Sequence, residues 1–203
     1  RFRVAHLPNG IDCDVFKPLD VAAARALFDI PQDRLLVGFV AESLDDPRKG
    51  LPQLVEALER MDSATPLTLA TVGGGHHLPN LKFPHTSFGS LESPQLLAAF
   101  YSMCDVFVCP SLSDNLPNTV IESMACGTPV LAYETGGLPD MVRPGLTGAL
   151  AAPVGDPAAL AHALTGLLAD SRQLLRLGDE ACAIALAEYS LPVQAKAYAE
   201  VYE

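Results

Sequence analysis

The chain has 203 residues, enough for one α/β domain with a full hydrophobic core. Hydrophobic residues make up 49% of it and charged residues 18%, which is a globular composition. The 24 acidic residues outnumber the 13 basic ones, and the formal net charge of −11 argues against a general nucleic-acid-binding surface. An anionic small ligand is not excluded, because helix N-termini and a few basic side chains make single pockets positive.

The cysteines are odd in number and form no C-x-x-C pair. They are Cys13, Cys104, Cys109, Cys126 and Cys182. We interpret them as buried structural thiols of a protein from a reducing compartment. No segment resembles a signal peptide or a membrane span. The chain starts at Arg1 rather than at a methionine, so upstream sequence with targeting information stays an open alternative.

Six short apolar segments have the length of buried parallel strands. The predicted strands cover residues 35–41, 67–72, 86–89, 105–109, 129–133 and 147–151. Helical patterns lie between them. Ser93 is an expected N-cap with Pro94 at the first helical position, and Gly127 is an expected helix stop. The predicted helices cover residues 51–61, 93–103, 118–126 and most of the chain from 156 on, with breaks at Gly178 and Pro192.

The alternation of strand and helix predicts a doubly wound parallel sheet of the α/β class, Rossmann-like, as a single domain over residues 1–203. Ligands of such sheets bind outside the carboxyl ends of the strands. The loops that face this edge are therefore the candidate site. They cover residues 42–50, 73–77, 88–91, 111–118 and 134–138.

Two carboxylates stand out around the fourth of these loops. Asp114 lies in the loop, and Glu122 follows eight positions later inside the predicted helix. Asn118 and Thr119 would start that helix, whose first N–H groups are unpaired and suit a diphosphate. A carboxylate one turn into the helix can accept hydrogen bonds from a ribose, and one on the loop can reach a sugar beyond the phosphates.

This segment resembles the signature of the group 1 family of retaining glycosyltransferases with the two-domain GT-B fold. That signature is an acidic residue, seven residues, Glu, and then Ala-Cys-Gly-x-Pro-Val. Asp114 stands where Glu is commoner. Residues 8–12, 48–50, 136–140 and 145–148 extend the resemblance over nearly the whole chain. It implies that Glu122 binds the nucleotide ribose and that Asp114 contacts the transferred sugar.

The resemblance also implies a phosphate site. Lys49 matches the family's lysine, and a fixed cation stabilises the negative charge that grows on a leaving diphosphate. Residues 42–44 occupy the window where the family's arginine normally falls, so Arg48, or an arginine from a missing domain, is the candidate substitute. The other predicted binding residues are Asn115 and Leu116 near the sugar and Phe88 and Gly89 beside the nucleobase. Gly74 falls near the donor site by the same resemblance, and a simple turn after a strand is an equal alternative for it.

By the same resemblance the chain is the donor-binding half of an enzyme. Residues 1–18 would lead in from the interdomain linker, residues 191–203 would form a helix at the domain junction, and the N-terminal acceptor domain would be absent. The intact protein would transfer a sugar from a UDP- or GDP-sugar to a glycan or lipid-linked acceptor, without a metal or other cofactor. It would be cytoplasmic, with peripheral attachment to the inner face of the membrane as an option.

Other interpretations remain open at this level. Asp114 is compatible with a turn cap, and Lys49 with a solvated lysine at a helix start. The adjacent His76 and His77 lack metal-ligand partners and indicate a solvated loop. A nucleotide-sugar epimerase or a phosphorylase-like enzyme would use the same fold. A non-catalytic nucleotide-binding module is a third alternative.

Overall fold

A computed structural model describes residues 7–62, 66–75, 78 and 81–202. Six strands occur at the predicted places, and all pairs of neighbouring strands are parallel. They are β1 Leu35–Ser43, β2 Leu67–Gly74, β3 His85–Ser87, β4 Val106–Cys109, β5 Val130–Tyr133 and β6 Gly148–Ala151. The sheet order is β3-β2-β1-β4-β5-β6, with the order reversing between β1 and β4. The predicted α/β class and doubly wound parallel sheet are confirmed.

Helices cover both faces of this sheet. They are α1 Val21–Leu27, α2 Leu51–Arg60, α3 Pro94–Met103, α4 Asn118–Ala125, α5 Leu138–Met141, α6 Pro157–Leu168, α7 Ser171–Ile184 and α8 Leu191–Tyr202. A 3₁₀ turn, Pro47–Lys49, precedes α2, and a π-helical segment, Ala185–Tyr189, follows α7. Ser93 caps α3 by accepting a hydrogen bond from the Leu96 N–H, as predicted. Gly127 directly follows the C-cap of α4 with a φ of 76°.

The core lies in two layers, one on each side of the sheet. Alternate residues of β4 show the division: Val106 and Val108 pack with α2 and α6, whereas Phe107 and Cys109 pack with α3 and α4. Every residue of β4 is buried. The strands are therefore continuous apolar runs because both of their faces are covered.

The predicted helix break at Gly178 is wrong, because α7 continues through it from Ser171 to Ile184. A Cβ at Gly178 would collide with the carbonyl oxygen of Gly127. The glycine therefore allows α7 to pack closely against the turn after α4, and it does not end the helix. The break near Pro192 is confirmed, since a new helix begins at Leu191.

Helix α1 had no counterpart in the sequence prediction. Its Arg25 is buried, donates hydrogen bonds to the carbonyl oxygens of Met103, Gln32 and Arg34, and forms a 2.7 Å ion pair with Asp105. A buried arginine interrupts the apolar periodicity on which helix prediction depends. Its side chain instead ties α1 to the residues that precede β1 and β4.

The first and last described segments lie side by side. The Ile11 N–H donates to the Tyr189 carbonyl oxygen at 2.8 Å, and the Leu191 N–H donates to the Ile11 carbonyl oxygen at 3.0 Å. Val193, Tyr198 and Val201 of α8 are exposed. The prediction that these segments border a second domain stays a prediction.

The five cysteines are free thiols, with Cys104, Cys109 and Cys126 buried and the other two partly buried. Within the described ranges, none of the helices combines the length and the apolar character needed to cross a bilayer.

Candidate functional site

Three loops meet at the carboxyl edge of the sheet, and glycines allow the contact. A Cβ on Gly50 would collide with the carbonyl oxygen of Pro110. The Leu112 N–H donates to the Arg48 carbonyl oxygen at 2.8 Å. The 3₁₀ turn that carries Lys49 therefore lies directly against the loop between β4 and α4.

A double glycine supports the same loop from the opposite side. Gly136 has a φ of 55°, and a Cβ there would collide with the carbonyl oxygen of Asp114. A Cβ on Gly137 would collide with the carbonyl oxygen of Asn115. Residues 136 and 137 therefore fix the backbone that carries Asp114, and a side chain at either position would displace it.

The two predicted catalytic residues form an ion pair. Lys49 Nζ lies 2.7 Å from Asp114 Oδ2, and the two side chains are 32% and 17% exposed. The Ser111 hydroxyl donates to the same oxygen at 3.3 Å, and the Asn115 N–H donates to Oδ1 at 3.0 Å. Three donors, from Lys49, Ser111 and Asn115, therefore hold the carboxylate, and the carboxylate in turn holds the ammonium group.

The N-terminus of α4 faces the same cleft. Pro117 occupies the N-cap and offers no side-chain hydrogen bond, so no capping side chain satisfies the first N–H groups. Asn9 Nδ2 donates to Asn118 Oδ1 at 2.9 Å. The cleft has a volume of about 410 Å³, and its lining consists of Asn9, Val40, Ala41, Glu42, Lys49, Leu116, Pro117, Asn118 and Thr119.

Glu122 lies one turn further along α4 and is partly buried. The Tyr101 hydroxyl donates to Glu122 Oε2 at 2.8 Å. Burial raises the pKa of the Glu122 carboxyl, and the hydrogen bond from Tyr101 opposes this shift. The carboxylate is thus held in a partly buried setting three residues after Thr119, which lines the cleft, and Glu122 itself is outside that lining.

The predicted nucleobase side continues from this cleft. A second cleft of about 220 Å³ shares Val40, Ala41 and Glu42 with the first. At its floor the Gly73 N–H donates to the Gly89 carbonyl oxygen at 2.8 Å. The lining of the second cleft consists of Val40, Ala41, Glu42, Val72, Gly73, Ser90, Leu91 and Leu97.

The other two predicted residues on this side differ in their settings. The Phe88 ring packs edge-on against Phe28 and Phe100, so its side chain belongs to the core. The nearest heavy atoms to a Cβ on Gly74 would be the Glu42 carbonyl oxygen and the Ser90 hydroxyl, both at 3.6 Å. Gly74, Phe88 and Gly89 are therefore all outside the lining of the second cleft, whereas their neighbours Gly73 and Ser90 belong to it.

Arg48 points to a different partner. Its guanidinium lies 2.7 Å from Asp46, and its side chain is 72% exposed. Asp46 also caps the 3₁₀ turn by accepting from the Arg48 N–H. Asn115 is exposed, and its side chain is outside the lining of the 410 Å³ cleft. The structure thus brings Lys49, Leu116, Asn118 and Thr119 together and turns Arg48 towards Asp46.

A larger cavity, about 650 Å³, lies elsewhere. Its lining consists of Leu44, Asp45, Asp46, Pro47, Leu51, Pro52, Val55, Glu56, Glu59 and Leu78. Four of these side chains are carboxylates and none is basic, so this cavity is unsuited to a phosphate. Within the described ranges no group of three or more metal-ligating side chains comes together. His76 and His77 lie outside those ranges.

A family model described as "Glycosyl transferases group 1" matches residues 34–170. The chain belongs to the group 1 glycosyltransferase family. A D-inositol 3-phosphate glycosyltransferase of Catenulispora acidiphila is 33% identical over 98% of the chain and 50% of the relative. A GDP-mannose-dependent phosphatidylinositol monomannoside mannosyltransferase of Mycolicibacterium smegmatis is 34% identical over 85% of the chain and 49% of the relative. The chain spans about half the length of these curated relatives.

Solved structures agree with this membership. Sucrose-phosphate synthase from Thermosynechococcus elongatus superposes on 97% of this group 1 domain with a TM-score of 0.86 and 31% identity, over 51% of its own chain. The Anabaena protein HepE, in complex with UDP-glucose, gives a TM-score of 0.81 at 22% identity, over 97% of the domain and 56% of HepE. The fold is therefore one Rossmann-like half of the GT-B architecture, as the resemblance implied.

Sequence reasoning missed three side chains of the site. Tyr101 and Ser111 hydrogen-bond the two motif carboxylates, and Asn9 contacts the start of α4. Ser111 stands three positions before Asp114, a spacing at which a hydroxyl can reach the carboxylate of the same loop. The contacts of Tyr101 and Asn9 join distant parts of the chain, so no local pattern reveals them.

Proposed function

We propose that this group 1 glycosyltransferase domain binds the nucleoside diphosphate of a UDP- or GDP-sugar at the carboxyl edge of its sheet. The observation that carries the proposal is the shared cleft of Lys49 and the first turn of α4, at Asn118 and Thr119. An ammonium group and the N–H groups of a helix start both favour a diphosphate. The cleft volume of about 410 Å³ lies in the range of small-ligand sites.

The ribose and the sugar have distinct partners in this proposal. Glu122 accepts hydrogen bonds from the ribose hydroxyls. Asp114 contacts the transferred sugar together with Asn115 and Leu116. The nucleobase lies in the second cleft beside the main chain of Gly74, Phe88 and Gly89. This order along the cleft is supported by the two volumes that share Val40–Glu42.

Lys49 stabilises the leaving diphosphate in this proposal. As the bond between sugar and phosphate breaks, negative charge grows on the bridging oxygen, and a preorganised cation lowers the barrier. Lys49 has three N–H donors, so it can keep Asp114 and still bind a phosphate oxygen. The proposed chemistry needs no metal, because Lys49 and the start of α4 supply the positive charge. Arg48 enters this scheme only if a phosphate displaces Asp46.

We further propose that the intact protein transfers the sugar with retention of configuration. Asp114 Oδ2 is held by both Lys49 and Ser111, so it is suited to contact the sugar and poorly suited to act as a free nucleophile. Front-face attack by the acceptor, with the leaving phosphate assisting proton removal, is the retaining route that remains.

The acceptor in this proposal is a glycan or a lipid-linked sugar held by a second domain. The name of one relative, a phosphatidylinositol monomannoside mannosyltransferase, supports this class of acceptor. The other relative is named for a small phosphorylated acceptor, D-inositol 3-phosphate. The exposed stripe of α8, at Val193, Tyr198 and Val201, is the proposed junction with that domain. Five free thiols support a cytoplasmic location, with peripheral attachment to the membrane through the second domain.

Calorimetric titration with UDP, GDP and ADP, in the presence of EDTA, tests the proposed function. We expect saturable binding of one of the three and a roughly tenfold weaker affinity for Glu122→Gln, because one hydrogen bond to a charged acceptor becomes a neutral one. Binding by the intact protein but not by the 203-residue chain would mean that the second domain supplies essential contacts. Absence of binding in both would refute the proposal.

A further inference from the structure

Tyr101 connects the core of the domain to the motif carboxylate Glu122. Its ring is fully buried in α3. It packs edge-on against Phe100 and Phe107, with centroid separations of 5.9 and 5.3 Å. Its hydroxyl extends beyond these packed rings and donates to Glu122 Oε2 at 2.8 Å. The tyrosine thus brings one rigid hydrogen-bond donor from the core to α4.

The backbone of Tyr101 is fixed by the turn that follows α4. The buried Thr128 hydroxyl donates to the Tyr101 carbonyl oxygen at 2.7 Å. Thr128 is itself placed by the Ser123 carbonyl oxygen, which accepts from its N–H at 3.0 Å. The middle of α4, at Glu122, and the turn after its C-terminus, at Thr128, are therefore both hydrogen-bonded to Tyr101.

The two oxygens of Glu122 have different surroundings. Oε2 accepts from Tyr101, whereas Oε1 has no hydrogen-bond partner among the described residues. Oε1 is also absent from the fully enclosed, unpaired oxygens of the described chain, which belong to Gln53, Tyr133 and Gln194. One carboxylate oxygen is thus held by the protein, and the other is neither paired nor fully enclosed among the described residues, although Glu122 is outside the lining of both clefts.

We propose that Tyr101 is a positioning residue for donor binding: its hydroxyl fixes the Glu122 carboxylate through Oε2 and leaves Oε1 to accept from the ribose hydroxyls. The identity of the ligand at Oε1 rests on the proposed function. The role of Tyr101 on the carboxylate rests on the hydrogen bond itself.

The direction of this bond is constant over the physiological pH range. Burial and the charge of Glu122 raise the pKa of Tyr101 well above its ordinary value, so the phenol stays protonated and donates. The other titratable groups facing this pair are two thiols. Burial raises the pKa of Cys109 to about 11 and that of Cys126 to about 12, so both stay neutral. Glu122 is therefore the group of this cluster that titrates in mild acid.

Tyr101→Phe removes the hydroxyl and retains the ring, and it is tested by a ¹³C NMR titration of the Glu122 carboxyl. Because the hydrogen bond lowers the pKa of Glu122, we expect the variant to titrate at higher pH than the wild type. Nucleotide affinity, which needs the ionised carboxylate, should fall as pH drops through this pKa. In the variant, the fall of nucleotide affinity on the acid side of the pH profile (the acid limb) should begin at higher pH. At a pH within this limb, the variant should bind about tenfold more weakly than the wild type.

Tyr133→Phe is the matched control. Tyr133 is also fully buried, and its hydroxyl has no partner in the described part of the chain. The Tyr133→Phe change should leave the titration of Glu122 and the pH profile of nucleotide affinity unchanged. Glu122→Gln supplies a second control that does not depend on Tyr101: it should abolish the acid limb, and Tyr101→Phe added to it should cause no further shift of the profile.

An unchanged Glu122 titration in Tyr101→Phe would overturn the inference. A uniform loss of affinity at every pH would also overturn it, because a purely structural role weakens binding without moving the limb. If Tyr101→Phe does not fold, an acid limb that persists in Glu122→Gln would count against the inference. If wild-type protein binds no nucleotide, the proposed function fails, whereas the NMR titration still decides whether Tyr101 acts on the carboxylate.

Discussion

Lys49 and Arg48 are adjacent in the chain but have opposite settings. Lys49 lines the cleft and pairs with Asp114 across 65 residues of sequence. Arg48 donates from two of its nitrogens to Asp46, two positions before it, and is mostly exposed. Surface ion pairs of this local kind contribute little free energy. Lys49 can therefore contact a ligand in the cleft, whereas Arg48 is outside the cleft and paired with Asp46.

The paired variants Lys49→Ala and Arg48→Ala test this difference. Lys49→Ala should weaken binding of the nucleoside diphosphate tenfold or more, since roughly 1.5–3 kcal/mol is typical for a hydrogen bond to a charged group. Arg48→Ala should stay within about threefold of the wild type, because an exposed cation outside the cleft contributes mainly screened attraction. Calorimetric affinities at one salt concentration provide the comparison. A larger loss in Arg48→Ala would restore Arg48 as the substitute for the family's arginine.

Asp114 departs from the commoner glutamate, and the structure gives a reason why this is tolerated. The loop is close enough to the Lys49 turn for the shorter side chain to reach the ammonium at 2.7 Å. The Ser111 hydroxyl and the Asn115 N–H complete its hydrogen bonds. We interpret the close approach of the two loops, which the glycines at positions 50 and 136 permit, as compensation for the missing methylene.

At the scale of elements, the site depends on loops that glycines hold in contact. Gly50 admits the carbonyl of Pro110, and Gly136 admits the carbonyl of Asp114. Gly178 likewise allows α7 to contact the Gly127 carbonyl in the turn after α4. These positions fix the geometry of the site although none of them touches a ligand in our proposal.

Gly136→Ala and Gly166→Ala form a matched pair. Gly136 combines a φ of 55° with a backbone collision, so the change should lower the free energy of unfolding by more than about 1 kcal/mol and weaken nucleotide binding. Gly166 lies inside α6 with no heavy atom within 4 Å of a new Cβ, so the same change should stabilise by roughly 0.5–1 kcal/mol. Urea unfolding measures both. Equal effects of the two changes would contradict the loop-contact explanation.

The strands and the motif were predictable because their signals are local. Residues 35–41 form a continuous apolar run, which is typical of a strand that is buried on both faces. Glu122 follows Asp114 at the spacing of the family motif. Helix α1 was missed because its buried Arg25 breaks the apolar pattern. Gly178 was misjudged because a sequence shows a missing side chain but not the backbone opposite it. The Tyr101–Glu122 bond joins two helices, and no periodicity encodes it.

At the scale of the whole molecule, the 650 Å³ cavity and the 410 Å³ cleft differ in the charge of their linings. The domain carries a net charge of −11, and the 650 Å³ cavity has four carboxylates in its lining and no basic side chain. The 410 Å³ cleft has one carboxylate, Glu42, together with Lys49 and the start of α4. We therefore expect an anionic ligand to favour the 410 Å³ cleft, in spite of its smaller volume. The chain spans about half the length of its curated relatives.

The central claim is that a nucleoside diphosphate binds in the cleft between Lys49 and α4. Amide chemical-shift mapping during titration with UDP and with GDP tests it most directly. We predict that the nucleotide that saturates perturbs the amides of Lys49, Asn118 and Thr119 most strongly, with smaller changes at Gly89. Perturbations concentrated on Val55, Glu59 and Leu78 in the 650 Å³ cavity, or none with either nucleotide, would contradict this claim.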